Sequence, residues 1–186
     1  MKNQVLFLFL FIMFSIGGSS QDFKFMTYNI KYEYLNYTVI YLNERKVSLV
    51  KLLLHYEHTI IGTQEALHHQ VDYIDNALAN FSYIGVGRDD GRQKGEYTAI
   101  HYDRTKFKVM ASNTFWLSKT PGKVSVGWDA AMERICTFGL FENLKTKEQF
   151  YVFNTHFDHL GKKARAESAK LIYRKIRKIN KTGLPL

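Results

Sequence analysis

The sequence has few residues that would constrain the chain covalently or stiffen it. Its 186 residues include one cysteine and two prolines. A disulfide needs two thiols, so no bridge can form within the chain, and stability must come from packing. We expect Cys136, which lies in an apolar run, to be a small core residue rather than a nucleophile. No repeat, low-complexity tract or proline-rich linker divides the sequence, which predicts a single domain.

Long hydrophobic runs are also scarce, and the longest lies near the N-terminus. Residues 5–16 form an apolar stretch of about twelve residues, fewer than the roughly twenty that a membrane-spanning helix needs. Lys2 precedes this stretch and small residues follow it, which is the layout of a secretory signal. We therefore expect residues 1–20 to be a signal peptide, and residues 21–186 to be a secreted or periplasmic domain with no permanent membrane anchor.

Acidic residues are outnumbered by basic ones. The chain has 26 Lys and Arg against 17 Asp and Glu, for a formal net charge of +9. An excess of this size suits an anionic partner such as nucleic acid or a phosphorylated lipid. Many of the basic residues fall within residues 162–181, where they are equally consistent with the solvated face of a helix.

The hydrophobic pattern changes along the chain. Before residue 80, strands and helices alternate, and they are predicted at residues 23–30, 43–54, 59–63 and 67–78. After residue 80, short turns separate a series of strands, predicted at residues 82–86, 97–102, 107–110, 114–117, 135–141 and 150–154. A final amphipathic helix is predicted from about residue 164 to 179. This order predicts the first part of an α/β sandwich with helices on the outside.

Local spacing gives finer expectations for turns and helix faces. Residues 103–106 and 143–147 are predicted hairpin turns. Asn43 is the expected cap of the first helix. The apolar faces of the three helices are predicted from their spacing to contain Val47, Val50 and Leu54, then Val71, Ile74 and Leu78, and finally Ala169, Ile172, Ile176 and Ile179.

Polar side chains that can bind a metal ion or another ligand stand at the ends of three of the apolar strands. They are Asn29, Glu65 and His156, at the ends of the segments FMTYN, IGTQE and VFNTH. Loops at the ends of central strands converge on ligands in α/β sandwiches, so we expect the three side chains to share one site. Taken singly each is ambiguous, because Asn also forms turns, Glu also favours helix N-termini, and a lone His is often structural.

These three motifs, in this order, resemble the endonuclease/exonuclease/phosphatase superfamily of metal-dependent phosphoesterases. The resemblance covers roughly residues 23–186, and it implies an α/β fold, part of a four-layer DNase I-like sandwich. In that family a later strand carries Gly-Asp-x-Asn and a final loop carries Ser-Asp-His, and neither motif occurs here. We therefore interpret the chain as an N-terminal portion with an incomplete second sheet, inactive by itself.

The resemblance implies that Asn29 and Glu65 bind Mg²⁺, or alternatively Mn²⁺. Magnesium keeps several waters and needs only one or two carboxylates, so this pair is a plausible half-site. The resemblance also implies that His156 acts on the phosphoryl group and that Glu96 is the carboxylate that orients its imidazole. Asp158 and His159 are secondary candidates.

Two arginines are the candidate substrate-binding residues. Arg134 falls where relatives commonly place a substrate-binding arginine, and a guanidinium can bind phosphate through two hydrogen bonds. The alternative for Arg134 is a surface salt bridge with Glu133 or Asp129. Arg88 begins a polar, glycine-containing loop that we expect to face the substrate.

Together these features predict an exported, Mg²⁺-dependent phosphoesterase that hydrolyses a phosphodiester or phosphomonoester by attack of an activated water. Its phosphorylated substrate could be a nucleic acid, a nucleotide, a sugar phosphate or a lipid head group, and we expect a monomer. The alternative is a basic, secreted binding protein that uses the same fold without catalysis.

Overall fold

The computed structural model describes residues 23–33 and 39–186, and it describes the side chains of the second range from residue 44 onward. The predicted signal peptide lies outside these ranges. The described helices are α1 (Val39–His55), α2 (His68–Ala77) and α3 (Lys162–Ile179). The strands are β1 (Phe25–Asn29), β2 (Ile60–Gln64), β3 (Phe81–Ile84), β4 (Ile100–Asp103), β5 (Phe107–Trp116), β6 (Ile135–Asn143) and β7 (Gln149–Thr155).

The strands form two sheets. The first has the order β1-β2-β4-β3, and the second has the order β5-β6-β7. Strands β1 and β2 are parallel, as expected for strands joined through the helical crossover α1, and the other pairs are antiparallel. Because β1 and β2 run in the same direction, both end at the same edge of the first sheet.

The inner faces of the two sheets pack against each other through an aromatic cluster. Ile60 and Ile100 of the first sheet contact Phe107, Phe141 and Phe150 of the second, and all five side chains are buried. Phe141 and Phe150 stack with ring centroids 5.8 Å apart. Buried side chains alternate with less buried ones along most of β6, as the pleat of a strand requires.

Helices cover the outer faces. Leu53 of α1, together with Val71 and Ile74 of α2, lies in a buried cluster on the first sheet. Leu171 of α3 packs against Phe115 and its neighbours on the second sheet. The layers are, in order, helices α1 and α2, the first sheet, the second sheet and helix α3. This arrangement confirms the predicted α/β sandwich. No helix in the described ranges has both the length and the apolar character needed to span a bilayer.

The strands and the turns between them differ from the prediction in two places. Residues 143–147 join β6 to β7 and form the predicted hairpin. Residues 103–106 instead carry the chain from β4 in the first sheet to β5 in the second, so they are not a hairpin turn. The two short strands predicted at 107–110 and 114–117 are one strand, β5, with a register shift between Val109 and Ala111. Local turn chemistry cannot distinguish these cases.

The buried faces of the helices were predicted correctly only for α2, where Val71, Ile74 and Leu78 are all buried. In α1, Val50 packs partly buried against the core as predicted, but Val47 and Leu54 are exposed, and Leu53 is the fully buried residue. Helix α1 carries apolar residues on more than one side, so packing rather than spacing selects its inner face.

The predicted start of α1 and the predicted apolar face of α3 also differ from the structure. Helix α1 begins at Val39, so Asn43 lies inside it rather than at its cap. In α3 the buried residues are Ala164, Ser168 and Leu171. Of the predicted face, Ile172 packs partly buried against the second sheet, whereas Ala169 is exposed.

A buried histidine in the first sheet makes stability depend on pH. His101 on β4 is 0% exposed, its Nε2 lies 3.2 Å from Thr63 Oγ1, and its Nδ1 has no hydrogen-bond partner among the described residues. Burial lowers the pKa of His101 from 6.5 to about 4. Between these values the unfolded chain binds the proton and the folded chain does not, so acid favours unfolding.

We predict that the free energy of unfolding falls by up to about 3 kcal/mol as pH decreases from 6.5 to 4. His101→Gln can keep a hydrogen bond to Thr63 but cannot titrate, so it should flatten this decrease. Urea unfolding at several pH values measures the effect, with the exposed His55→Gln as control. The same pH slope in wild type and His101→Gln would contradict the prediction.

Candidate active site

The three polar side chains that follow strands β1, β2 and β7 lie together. Asn29 Nδ2 donates a hydrogen bond to Glu65 Oε1 at 2.7 Å. His156 Nε2 lies 3.8 Å from the same carboxylate oxygen. The parallel pairing of β1 with β2 explains the first contact, because Asn29 is in register with Gln64, the residue before Glu65. The expected convergence of these side chains is therefore present in the fold.

The Glu65 carboxylate is held on both oxygens. In addition to the contact with Asn29, its Oε2 accepts a hydrogen bond from the backbone N–H of Tyr32 at 2.8 Å. Burial alone would raise the pKa of Glu65, but these hydrogen bonds and the nearby His156 and Arg134 bring the pKa below its ordinary value. Glu65 also has a φ of 64°, a left-handed conformation that is uncommon for residues other than glycine. An ionised carboxylate on a strained backbone is a feature of functional sites.

A buried amide next to these residues connects the two sheets. Asn154 of β7 donates from Nδ2 to the carbonyl oxygens of Thr63 (2.9 Å) and Ala99 (2.8 Å). Its Oδ1 accepts from Gln64 Nε2 at 2.7 Å. Gly62 permits this approach, because a Cβ there would lie 3.0 Å from Asn154 Cγ. Asn154 is not among the site residues predicted from the sequence, although a polar residue inside an apolar strand is a signal that could have identified it.

Arg134 is buried, and its partners differ from those expected. Its Nε donates to Asp158 Oδ2 at 3.2 Å, and only 6% of the arginine side chain is exposed. Its Nη1 lies 3.4 Å from His156 Nδ1, and its Nη2 lies 3.1 Å from His159 Nδ1. The alternative of a surface salt bridge with Glu133 or Asp129 is therefore wrong.

Asp129 instead accepts hydrogen bonds from the first turn of α3. Its Oδ1 lies 2.6 Å from the backbone nitrogen of Ala164, and its Oδ2 lies 3.3 Å from that of Lys163. Neighbouring carboxylates of this region thus have separate roles, since Asp158 pairs with a side chain and Asp129 caps a helix.

The expected pairing of Glu96 with His156 is not present. Glu96 accepts a hydrogen bond from Arg88 Nη1 at 2.9 Å, and both side chains are 13% exposed. A permanently charged guanidinium is a stronger partner for a half-buried carboxylate than a neutral imidazole. Arg88, Glu96, Arg134 and His156 nevertheless line one small depression, so the four predicted residues do share a site.

The electrostatics of this depression favour a neutral histidine. Burial lowers the pKa of His156, and the positive charge of Arg134 lowers it further, while Glu65 acts in the opposite direction. Burial raises the pKa of Glu96 against the opposing effects of Arg88 and Arg134. At neutral pH the site therefore offers an imidazole that donates or accepts hydrogen bonds, rather than a third positive charge beside Arg88 and Arg134.

The donor set at Glu65 suits a hard divalent cation. Within the described part of the chain, no three His, Cys, Asp or Glu side chains form a group that could hold a metal. Magnesium does not require such a group, because it retains waters and binds through one or two carboxylates together with substrate phosphate. Glu65, with its lowered pKa, and the adjacent Asn29 amide are the residues that fit this role.

Comparisons with known proteins give the family. No family model matches the sequence, and no curated protein matches it. Solved structures do match the chain. An endonuclease/exonuclease/phosphatase family protein from Bacteroides thetaiotaomicron is 40% identical with a TM-score of 0.79, over 82% of this chain and 57% of that one. A Bacteroides vulgatus endonuclease/exonuclease/phosphatase is 40% identical with a TM-score of 0.78, over 83% of this chain and 59% of that one.

A third solved structure is a mannosyl-6-phosphatase from Bacteroides thetaiotaomicron. It is 40% identical with a TM-score of 0.79, over 83% of this chain and 59% of that one. The chain thus spans between 57% and 59% of the length of these structures. The chain belongs to the endonuclease/exonuclease/phosphatase superfamily, as the motifs at Asn29, Glu65 and His156 predicted.

The Asn154 bridge yields a stability prediction. Asn154→Leu keeps the approximate volume but removes all three hydrogen bonds and leaves buried polar groups of the first sheet without this partner. We expect the free energy of unfolding to fall by about 2 to 4 kcal/mol. Chemical unfolding measures it, with Asn76→Leu on the exposed side of α2 as control, expected within about 0.5 kcal/mol of wild type. Equal stability of the two variants would exclude a bridging role.

Proposed function

We propose that these residues are the metal-binding part of the active site of an exported, Mg²⁺-dependent phosphoesterase. The observation that carries the proposal is the arrangement around Glu65, where the Asn29 amide lies 2.7 Å and the His156 imidazole 3.8 Å from one oxygen of an ionised carboxylate. The buried Arg134 guanidinium lies directly behind that imidazole. This combination suits a cation and a phosphoryl group bound side by side.

In this proposal Glu65 and Asn29 hold the divalent ion. When bound, the ion supplies stabilisation of charge on the phosphoryl oxygens. His156 presents Nε2 toward the same place, because its Nδ1 faces Arg134. Arg134 has five N–H groups, and within residues 23–33 and 39–186 three of them are directed at Asp158, His156 and His159, which leaves two for a phosphoryl oxygen. Arg88 adds positive charge on the Glu96 side.

The substrate that we favour is a phosphomonoester on a sugar. The mannosyl-6-phosphatase that is 40% identical to this chain gives this class priority over phosphodiesters. The groups of the site are consistent with it, because a divalent ion and the N–H donors of the arginines can bind the oxygens of a phosphate dianion.

A non-catalytic binding protein is the second candidate, and the charge of α3 favours it. That helix carries eight Lys and Arg and one acidic residue, Glu167. Such a surface binds polyanions whether or not the neighbouring site turns over a substrate. Binding of an anionic polymer without release of phosphate from any ester would support this reading over the enzyme.

The test of the proposed enzyme is Glu65→Gln in the intact protein. The amide keeps the shape but removes the negative charge, so we expect Mn²⁺ affinity to fall by at least about tenfold. Phosphate release from mannose 6-phosphate in Mg²⁺ should fall by about a hundredfold or more. Mn²⁺ binding is measured by its electron paramagnetic resonance signal.

The matched control is Glu57→Gln, an exposed glutamate whose side chain contacts Lys24. It should leave both quantities near their wild-type values. Undiminished turnover by Glu65→Gln at limiting metal would reject Glu65 as the metal ligand. Faster release from a phosphodiester than from mannose 6-phosphate would keep the enzyme but reject the substrate class.

A further inference from the structure

Asp158 has an unusually complete set of partners for a carboxylate in a loop. Its side chain is 1% exposed. Oδ1 accepts from the backbone N–H groups of Leu160 (3.0 Å) and Gly161 (2.7 Å). Oδ2 accepts from the backbone N–H of Ala131 (3.1 Å) and from Arg134 Nε (3.2 Å). Burial alone would raise the pKa of Asp158, but these hydrogen bonds bring it to about 2.

The contact with Asp158 determines where the other edges of the guanidinium point. With Nε directed at Asp158, Nη1 and Nη2 face the Nδ1 atoms of His156 and His159. A guanidinium can only donate hydrogen bonds, so both Nδ1 atoms are acceptors. The proton of each neutral imidazole is therefore on Nε2. One guanidinium in this way assigns the same tautomer to two histidines.

The second of these histidines has no part in the mechanism described above. His159 is exposed, whereas His156 is partly buried beside Glu65. Both rings contact the buried Arg134, and His156 also lines the depression. A neutral imidazole with Nε2–H is a hydrogen-bond donor suited to a phosphoryl oxygen or a sugar hydroxyl.

We propose that Asp158 is a positioning residue that orients Arg134, and that Arg134 in turn fixes His156 and His159 as paired Nε2–H donors to the phosphorylated substrate. The effect on turnover rests on the proposed phosphoesterase function. The orientation of the guanidinium and of the two rings does not, so the two can be tested separately.

Asp129 provides a matched control for Asp158. It is also a loop aspartate, in the segment before β6; its carboxylate accepts two backbone hydrogen bonds, and both come from α3. Asp129→Asn and Asp158→Asn therefore both remove one loop carboxylate charge. Only Asp158→Asn removes the negative charge beside Arg134 Nε, and it replaces one of the two oxygens that serve four donors by an N–H₂ group, which cannot accept a hydrogen bond.

The first measurement is nuclear magnetic resonance of the chain labelled with ¹⁵N at arginine and histidine, at a pH where imidazoles are neutral. In wild type we expect distinct Nη1 and Nη2 signals for Arg134, because rotation of the guanidinium is restricted, and Nε2–H tautomers for both histidines. Asp158→Asn should average the Nη signals and produce mixed tautomers. Asp129→Asn should resemble wild type even where it lowers stability.

A second variant covers the case in which Asp158→Asn does not fold. Arg134→Lys keeps the positive charge but lacks the planar fork that reaches three partners. It should produce mixed tautomers at His156 and His159. The proposal is overturned by restricted Arg134 signals in Asp158→Asn, or by unchanged tautomers in Arg134→Lys.

The kinetic measurement connects this geometry to function. In the intact protein, Asp158→Asn should lower kcat/KM for mannose 6-phosphate by about tenfold or more, the loss expected for a misplaced charged hydrogen bond. Asp129→Asn should change it less than about twofold, and Asp158→Glu should recover part of the loss.

If wild type has no phosphatase activity, the proposed function fails while the resonance result still decides the positioning role. Resonance changes as expected, with kcat/KM for Asp158→Asn equal to wild type, would reject the substrate contact.

Discussion

A single buried amide, that of Asn154, connects the two sheets at the edge where the site lies. Its hydrogen bonds join it to the backbone carbonyl of Thr63 in β2, to that of Ala99 just before β4, and to the side chain of Gln64. Glu65 directly follows this contact in one sheet, and His156 follows it by two residues in the other. The 3.8 Å separation of His156 from Glu65 therefore depends on a polar bridge inside an otherwise apolar interface.

The sequence was sufficient to predict this edge but not the contacts within it. Asn29, Glu65 and His156 each follow an apolar strand, and a strand's direction and end can be predicted locally. The partner of Glu96 cannot, because Arg88 and His156 are both plausible and only the path of the intervening loop brings Arg88 within 2.9 Å. The prediction of a hairpin turn at residues 103–106 was wrong for the same reason, because no local sequence feature shows that β4 and β5 belong to different sheets.

Most charged groups of the site have a partner of their own, so few of them compete for the same one. Glu65 is stabilised as an anion by hydrogen bonds, while burial and Arg134 favour the neutral form of His156. Arg134 and Arg88 are each paired with a different carboxylate, Asp158 and Glu96. A charged ligand entering the depression thus meets side chains whose orientations are already determined, and less ordering is required when it binds.

The loops beside β6 and after β7 combine structural and chemical roles through their aspartates. Asp129 caps α3 and Asp158 holds Arg134, while Asp158 also accepts backbone hydrogen bonds from Leu160 and Gly161 at the start of that helix. The position of α3 on the second sheet is therefore coupled to the orientation of the guanidinium. Since Arg134 contacts both His156 and His159, packing of an outer helix extends to the imidazoles through only two side chains. A substitution in the apolar face of α3 can therefore alter the site without touching it.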